Sequence, residues 1–383
     1  MRVLEVITDT NIGGAGILLE TRCRYMDRSK FQITVALPRG AQLTRRLRRM
    51  GIPTVEVDGC YDRSWELGSI AAWVHVLRRV KPALVNCHSC LSCRVAARLC
   101  RVPVVVDTRH CAFAPRRALT LPVVRGVVGG LLGALSDHTV AVADAAKENL
   151  LSMGVPEEKI TVIINGARPI PRRSEEERCC IRSSLGIPRD ATVVGLFARL
   201  EPCKDHPTLL RAARSLLRKN SNCVFLLVGE GSQRNALERM AEALGVSRSV
   251  IFTGFSEDVS PYMNITDIQV NCSVGTETSS LALSEGMSLG IPVVASRFGG
   301  NPYMVREGEN GYLFPMGRSD LLAERIVQIA GNEALYRRLS EGALRRFSEE
   351  LNAERMTRQT EAAYERWFRE RVSATDRSVR ADS

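Results

Sequence analysis

The stretch Glu277-Thr278-Ser279-Ser280-Leu281-Ala282-Leu283-Ser284-Glu285-Gly286-Met287-Ser288-Leu289-Gly290-Ile291-Pro292-Val293-Val294-Ala295-Ser296-Arg297-Phe298-Gly299-Gly300 holds two glutamates with seven residues between them. A Gly-x-Pro turn, a strand-like apolar run and a glycine pair follow. The pattern predicts a helix over Leu281–Leu289 and a strand over Pro292–Ala295. A helix that starts near Ser280 points its unpaired N–H groups and the positive end of its dipole at what lies before it, which favours a phosphate there. Ser279 and Ser280 are small enough to let a diphosphate approach that end, and Leu281 opens the helix beside it. Glu285 falls about one turn into the helix, where a carboxylate can accept hydrogen bonds from a vicinal diol.

On the N-terminal side of this stretch, short apolar runs alternate with amphipathic ones. Strands are predicted at Val3–Ile7, Ile33–Leu37, Ile52–Val57, Ala83–Cys87, Val102–Val106, Thr139–Val142 and Ile160–Ile164, with helices at Ile17–Met26, Leu43–Met50, Ile70–Val80 and Arg94–Cys100. Pro169, Pro171 and Pro188 then mark a change of character, read as a linker plus a short helix. A second series begins with strands at Thr192–Phe197, Val224–Val228, Val250–Thr253 and Ile268–Cys272, and helices at Pro207–Arg218, Arg234–Leu244, Leu321–Ala330 and Ala334–Arg345. Such alternation calls for parallel sheets covered on both faces. The expected organisation is an α/β chain of two doubly wound Rossmann-like domains: residues 1–168, a linker over 169–190, and residues 191–352. A helix from Ala353, packing back on the N-terminal domain, and a frayed tail complete it to residue 383. Two units fit the length of 383 residues, since single cores stop growing near ~250–300 residues. Ligands of such sheets bind beyond the carboxyl ends of the strands, so two units facing each other would make a cleft.

Four further segments fall at those strand ends. Arg199 and Lys204 lie in Leu196-Phe197-Ala198-Arg199-Leu200-Glu201-Pro202-Cys203-Lys204-Asp205, between a strand and a helix. Fixed cations there would stabilise the charge that grows on a departing diphosphate. Gly13, Gly14 and Gly16 follow the first strand, and glycine is needed where a backbone comes close to a ligand. Their spacing is not that of a dinucleotide fold. His110 ends Asp107-Thr108-Arg109-His110, with Arg109 beside it, and His88 follows the strand Ala83–Cys87. Val228-Gly229-Glu230-Gly231 and Thr253-Gly254-Phe255 are two more strand ends.

Taken together these motifs resemble the family 4 glycosyltransferases, a group with the two-domain GT-B architecture. The resemblance spans nearly the whole chain and is firmest from residue 190 to 315. It implies a retaining glycosyltransferase that moves a sugar from a nucleoside diphosphate sugar to an acceptor hydroxyl, in cell-envelope glycan, glycolipid or polysaccharide synthesis. By the same resemblance Glu277 faces the donor sugar, Glu285 holds the ribose hydroxyls, and Arg199 and Lys204 clamp the diphosphate. Gly14, Gly229, Glu230, Phe255, Ser279, Ser280 and Leu281 line the donor site. His110 sits near the reacting sugar, and Gly13, Gly16, His88 and Arg109 lie on the acceptor side. Two positions depart from the family. Asp205 stands where glycine often follows the lysine, and Arg168 lies near the place of an acidic residue that usually follows Asn165-Gly166. No cofactor and no metal are expected, the two cations doing the work of a divalent ion.

The formal net charge is +11, with 24 Lys and Arg against 14 Asp and Glu in residues 1–170. Arg45, Arg46, Arg48, Arg49, Arg116 and Arg117 contribute to this surplus. A basic N-terminal half suits a sugar or lipid-linked acceptor at an anionic membrane surface. Zinc-finger, basic-zipper and RNA-binding signatures are absent, so nucleic acid is not an expected partner. Leu119–Leu135 is apolar but interrupted by Pro122 and Arg125 and short for a membrane span, leaving a helix on a membrane surface or one lining a cleft. Met1–Thr8 runs straight into a strand without the pattern of a secretory leader. Twelve cysteines in such a chain read as reduced thiols, and the expected location is the cytoplasm, peripheral at the inner face of the plasma membrane. Two other classes compete: a non-catalytic GT-B protein that binds a nucleotide sugar, and a metal-binding redox protein using Cys87, Cys90 and Cys93.

Overall fold

The computed structural model describes residues 1–59, 67–110, 122–219 and 222–381. Arg116, Arg117 and the first three residues of the apolar stretch Leu119–Leu135 lie outside them. The chain forms two units: Met1–Gly166 together with Ala353–Ser383, and Ala167–Asn352.

The first unit runs β1 (Arg2–Val6), α1 (Gly14–Tyr25), β2 (Gln32–Pro38), α2 (Gln42–Arg49), β3 (Thr54–Val57), α3 (Leu67–Val80), β4 (Leu84–Cys87), α4 (Leu91–Leu99), β5 (Val104–Arg109), α5 (Pro122–Leu135), β6 (His138–Ala141), α6 (Asp144–Ser152) and β7 (Ile160–Val162). Its sheet has the order β3-β2-β1-β4-β5-β6-β7, and its strand pairs are parallel. The second unit runs α7 (Glu175–Ser184), β8 (Thr192–Phe197), α8 (His206–Arg218), β9 (Cys223–Val228), α9 (Arg234–Ala243), β10 (Val250–Gly254), α10 (Ser260–Asn264), β11 (Ile268–Asn271), α11 (Leu281–Ser288), β12 (Val293–Ser296), α12 (Asn301–Met304), β13 (Gly311–Phe314), α13 (Ser319–Ala330) and α14 (Glu333–Arg346). Its sheet order is β10-β9-β8-β11-β12-β13, again with parallel pairs. A π turn over Phe347–Leu351 leads into α15 (Ala353–Ala381), which belongs to the first unit.

Each order reverses once. In the first sheet the reversal falls between β1 and β4, in the second between β8 and β11. Such points leave a crevice at the carboxyl ends of the two strands, because the connections leave toward opposite sides.

Several elements differ from expectation. α6 and β13 were not anticipated: Asp144–Ser152 has a weak apolar face, and Gly311–Phe314 is only four residues long. α1 starts at Gly14 rather than Ile17, so Gly14 and Gly16 belong to its first turn and Gly13 caps it. Residues 169–190 contain the expected short helix, α7, and the segment packs onto the second unit. Ser174 and Glu177 form a reciprocal capping box that starts α7. Ile181 and Leu185 pack on the cluster of Ile187, Val193, Val224 and Leu226, and Arg182 donates to Asp267 at 2.8 Å. No helix among the described residues is long and apolar enough to cross a membrane.

Candidate functional site

In the second unit the loop after β8 meets the loop after β11. The carbonyl of Cys203 accepts from the backbone N–H of Val274 (2.9 Å) and of Gly275 (3.2 Å). A Cβ on Gly275 would come within 2.6 Å of the Cys203 Cβ, so the approach requires glycine there. The latch sets Lys204 beside Glu277: Lys204 Nζ donates to Glu277 Oε2 at 2.7 Å. Ser273 Oγ (2.8 Å) and Asn271 Nδ2 (3.1 Å) donate to the same oxygen. Burial works to raise the Glu277 pKa, but the Lys204 charge and these hydrogen bonds outweigh it and hold the carboxylate below its ordinary value. Buried Asn301 extends the network, donating to the Ser296 carbonyl at 3.0 Å, while Ser296 Oγ donates to the Ser273 carbonyl at 2.6 Å. Asn271, Ser273, Ser296 and Asn301 were missed from sequence, since short polar residues near strand ends look like ordinary loop chemistry.

Asp205 explains the departure after the lysine. Its backbone is left-handed (φ 47°, ψ 48°), a conformation natural to glycine and tolerated by aspartate, whose Oδ2 here accepts from Thr208 Oγ1 at 2.6 Å. His206 is buried at the start of α8. Burial and the Lys204 charge lower its pKa to about 4, so it is neutral at pH 7.

α11 begins where the sequence placed it. Ser280 is its N-cap, its Oγ accepting from the Leu283 N–H at 3.4 Å. Ser279 Oγ is buried with no hydrogen-bond partner among the described residues. Glu285 lies in the second turn, and burial raises its pKa to about 7 against the opposing charge of Arg168. Arg168 therefore supplies positive potential to Glu285. The glycine pair after β12 has a packing reason. Gly299 is left-handed (φ 55°), and a Cβ there would lie 2.0 Å from the Glu277 carbonyl oxygen, while one on Gly300 would lie 1.4 Å from that of Thr278. The loop that carries Glu277 thus rests on bare backbone.

Arg199 is exposed beyond β8, near Glu201, whose carboxylate is held below its ordinary pKa first by hydrogen bonds from the Ser232 backbone and hydroxyl and then by the Arg199 charge. Gly229 (φ 148°) has a Cβ direction 2.1 Å from the Ala198 carbonyl oxygen, so it too is fixed by packing. Glu230 is exposed and 3.5 Å from Arg234. Phe255, past the end of β10, is 71% exposed. Leu281 is half-buried at the first position of α11.

The first unit has its own cluster at its reversal point. Glu5 Oε2 accepts from Arg22 Nη2 (2.5 Å) and Asn86 Nδ2 (2.9 Å), and lies 3.0 Å from His88 Nε2. Tyr364 OH, from α15, donates to Glu5 Oε1 at 3.0 Å. His88 Nδ1 is 2.6 Å from His110 Nε2, and Thr108 Oγ1 donates to Asn86 Oδ1 at 2.8 Å. His88 Nε2 is also 3.0 Å from Arg22 Nη2. Arginine only donates and carboxylate only accepts, so the His88 tautomer decides which contact is a hydrogen bond. With its proton on Nε2 it donates to Glu5 and accepts from His110 through Nδ1. Burial, first, and the Arg22 charge lower the pKa of both histidines, which favours neutral rings. The structure thus brings His88 and His110 together. Glu5, Arg22, Asn86 and Tyr364 were missed. The signal was present for one of them: a glutamate inside the apolar run Val3-Leu4-Glu5-Val6 must be paired when the strand is buried.

Gly13 and Gly14 are exposed, and no described atom stands within 4 Å of a Cβ built on either. Gly16 has ordinary contact distances, Leu43 at 3.7 Å being the nearest. Packing therefore does not explain the glycines at 13 and 14. Arg109 ends β5, half-buried, with Nε lacking a hydrogen-bond partner among the described residues. Cys87, Cys90 and Cys93 are buried in the apolar cluster of Trp73, Leu77 and Val105. Among the described residues no group of three His, Cys, Asp or Glu side chains is placed to hold a metal ion. The regular cysteine spacing belongs to core packing instead.

Comparison with known proteins agrees with this picture. The family of glycosyl transferases group 1 matches residues 178–346, and glycosyltransferase family 4 matches residues 12–169. The lipopolysaccharide core biosynthesis glycosyltransferase LpsE of Rhizobium meliloti is 33% identical over 160 residues, 42% of this chain and 46% of that one. An Escherichia coli UDP-Gal:α-D-GlcNAc-diphosphoundecaprenol α-1,3-galactosyltransferase is 25% identical over 284 residues, 70% of this chain and 72% of its own. This chain spans about half the length of the first curated relatives it matches. The crystal structure of HepE from Anabaena in complex with UDP superposes with a TM-score of 0.83 at 22% identity, over 95% of this chain and 100% of that one. The shared fold is two Rossmann-like units of the GT-B class.

Proposed function

Since this chain belongs to glycosyltransferase family 4, we propose that it is a retaining, metal-independent glycosyltransferase that transfers a sugar from a nucleoside diphosphate sugar to an acceptor hydroxyl. The observation that carries this is the Lys204–Glu277 pair at the reversal point of the second sheet, beside the serine-capped N-terminus of α11. Glu285 accepts from the ribose hydroxyls. Ser279, Ser280 and the first N–H groups of α11 receive the diphosphate, and Lys204 and Arg199 neutralise the charge that grows on it. Glu277, held ionised, orients the donor sugar. Phe255 and the backbone around Gly229 and Glu230 meet the nucleoside, with Leu281 beside it. His110 steadies the reacting sugar, and His88, Arg109 and the loop at Gly13, Gly14 and Gly16 serve the acceptor side. The acceptor oxygen bonds to the anomeric carbon on the face from which the diphosphate leaves. The carbon–oxygen bond to phosphate breaks, and the acceptor proton passes to the departing phosphate oxygen. The diphosphoundecaprenol in the name of the Escherichia coli relative and the basic N-terminal half support a lipid-linked acceptor in envelope glycan synthesis, at the inner face of the plasma membrane.

A thermal-shift panel of uridine, guanosine and adenosine diphosphates and their sugars, with and without EDTA, tests the donor site. One base should raise Tm by several degrees, as binding at ~100 Kd contributes about 2.7 kcal/mol. The shift should survive EDTA and vanish in Glu285→Ala. An unchanged shift in that variant overturns the ribose assignment, loss with EDTA overturns metal independence, and an inverted anomer in the product overturns retention.

A further inference from the structure

At the reversal point of the first sheet, one carboxylate and two histidines stand in line. Glu5, on β1, and His88, in the turn after β4, are both buried. His88 Nε2 is 3.0 Å from Glu5 Oε2, and His88 Nδ1 is 2.6 Å from Nε2 of His110, just past β5. The two rings lie within 10° of parallel, with centroids 4.9 Å apart. A centroid separation so much larger than the 2.6 Å contact means that the rings meet edge to edge, the arrangement of an in-line N–H···N bond. A neutral imidazole carries one N–H, so this bond holds one proton and couples the two tautomers. Either His110 donates from Nε2 while His88 keeps its proton on Nε2 toward Glu5, or His88 donates from Nδ1 and both Nε2 atoms are bare. Arg22 is the competitor for His88 Nε2. Its Nη2 is 2.5 Å from Glu5 Oε2 and 3.0 Å from His88 Nε2. The three atoms make a triangle whose angle at Nη2 is about 65°, whereas the two hydrogens of that nitrogen lie ~120° apart. A hydrogen aimed at Glu5 therefore leaves the other far off the line to His88. Burial works to raise the Glu5 pKa, but the Arg22 charge and hydrogen bonds from His88 and Tyr364 outweigh it and hold the carboxylate ionised. An N–H toward that anion is a charge-assisted bond, while a bare Nε2 would set its lone pair against it. The arrangement with both protons on Nε2 wins.

We propose that Glu5, acting through His88, is a positioning residue for His110: it fixes the His110 proton on Nε2 and leaves Nδ1 a lone pair that accepts a hydrogen bond from a substrate hydroxyl. A nitrogen that can only accept selects a hydroxyl and rejects a phosphate or carboxylate oxygen at the same place, so the cluster sets the chemical class of the group that His110 meets. Arg22 and Tyr364 serve Glu5, keeping it charged and fixed. The inference deepens the proposed role of His110 near the reacting sugar and rests on it for its purpose. The tautomer is read without donor or acceptor, so its failure and failure of the transferase reading are seen separately.

The test is long-range proton–nitrogen NMR of the full chain carrying nitrogen-labelled histidine, at neutral pH and without ligand. The His110 signals are assigned by their loss in His110→Ala. The expected result is a single neutral form with Nε2 protonated and Nδ1 bare. In Glu5→Leu/Arg22→Met, which replaces both charges by apolar side chains, the two His110 nitrogens should move to the average of two tautomers. Near-UV circular dichroism of Trp73 and Trp367, both buried in the same unit, checks that this variant is folded. Hydrolysis of the nucleoside diphosphate sugar that gives the largest thermal shift supplies a second readout. Its kcat should fall about tenfold in the double variant, as the loss of one hydrogen bond in the transition state implies, with KM within about twofold. Adding His110→Ala should lower it no further, because Glu5 acts through His110. A His110 proton on Nδ1 in the native chain overturns the proposal whether or not the variant folds. So do His110 signals that stay unchanged in the folded variant, or a kcat loss that multiplies with that of His110→Ala. A chain with the expected tautomer that turns over no sugar nucleotide sinks the transferase reading alone.

Discussion

Glu285 and Glu277 are two carboxylates of one loop–helix segment with opposite shifts. Glu277 has a lysine, a serine and an asparagine donating to one oxygen, and stays ionised. Glu285 is half-buried, with only the charge of Arg168 to oppose the desolvation of its carboxylate, and its pKa rises to about 7. A group whose folded pKa lies above its unfolded value binds its proton more tightly when folded. Stability therefore falls as pH rises from the ordinary glutamate range to about 7, and is level beyond. Glu285→Gln removes the titration. Its Tm should equal that of the native chain near pH 4.5 and exceed it by a few degrees at pH 8, while the nucleotide-induced shift is lost. A Tm difference that does not change with pH would show that Glu285 is not held protonated by burial. A side chain that is costly in the free protein is the expected mark of a site built for a ligand.

At the scale of elements, the donor-side geometry depends on close backbone contacts. The Cys203 carbonyl latches the loop after β11, and the turn after β12 supports it from the other side. Gly299 combines a left-handed backbone with a Cβ direction 2.0 Å from the Glu277 carbonyl oxygen. Gly299→Ala should cost about 2–4 kcal/mol by adding steric overlap to the conformational penalty. It should also weaken nucleotide binding, because Glu277 and the start of α11 shift together. Denaturation and the thermal-shift panel read the two effects; a loss of under ~1 kcal/mol would mean that the turn moves aside freely. The pair Gly299-Gly300 was legible in the sequence as part of the motif, but its role was not. A glycine kept for backbone contact and one kept for a ligand look alike until the neighbours are known. Gly13 and Gly14 are the opposite case, since nothing described crowds them.

For the whole molecule, the return of α15 to the first unit ties the last part of the chain to the first strand. Tyr364 is fully buried and donates to Glu5, and Trp367 lies parallel to His138 at 4.4 Å between ring centres. Tyr364→Phe leaves Glu5 Oε1 without this donor. Hydrogen bonds to a charged group are worth about 1.5–3 kcal/mol, so stability should drop by that order. The nucleotide-induced shift should persist, because the residues assigned to the donor lie in the second unit. Unchanged stability would show that Glu5 finds a replacement donor, and loss of the nucleotide shift would show coupling between the units.

The alternation of apolar strands and amphipathic helices, the two glutamates, and the basic loop after β8 were all written in local order, so the doubly wound class and the helix start between the two glutamates could be read without coordinates. Period and spacing carry that information because each helix and strand buries its own face. The partners of the buried charges could not be read in the same way. Glu5 meets Arg22 from α1, Asn86 and His88 from β4 and the turn after it, and Tyr364 from α15, and Lys204 meets Glu277 only because β8 and β11 are neighbours despite the strands between them in sequence. α5 makes the same point from outside: its sequence is apolar but for Arg125, and its glycine-tight packing on Gly154 decides that Val123 and Val127 face solvent while Leu132 packs inward. Local pattern determines what each element is. Which side chains share a low-dielectric interior, and hence which charges must be paired and which apolar faces stay uncovered, depends on contacts between elements far apart in the chain.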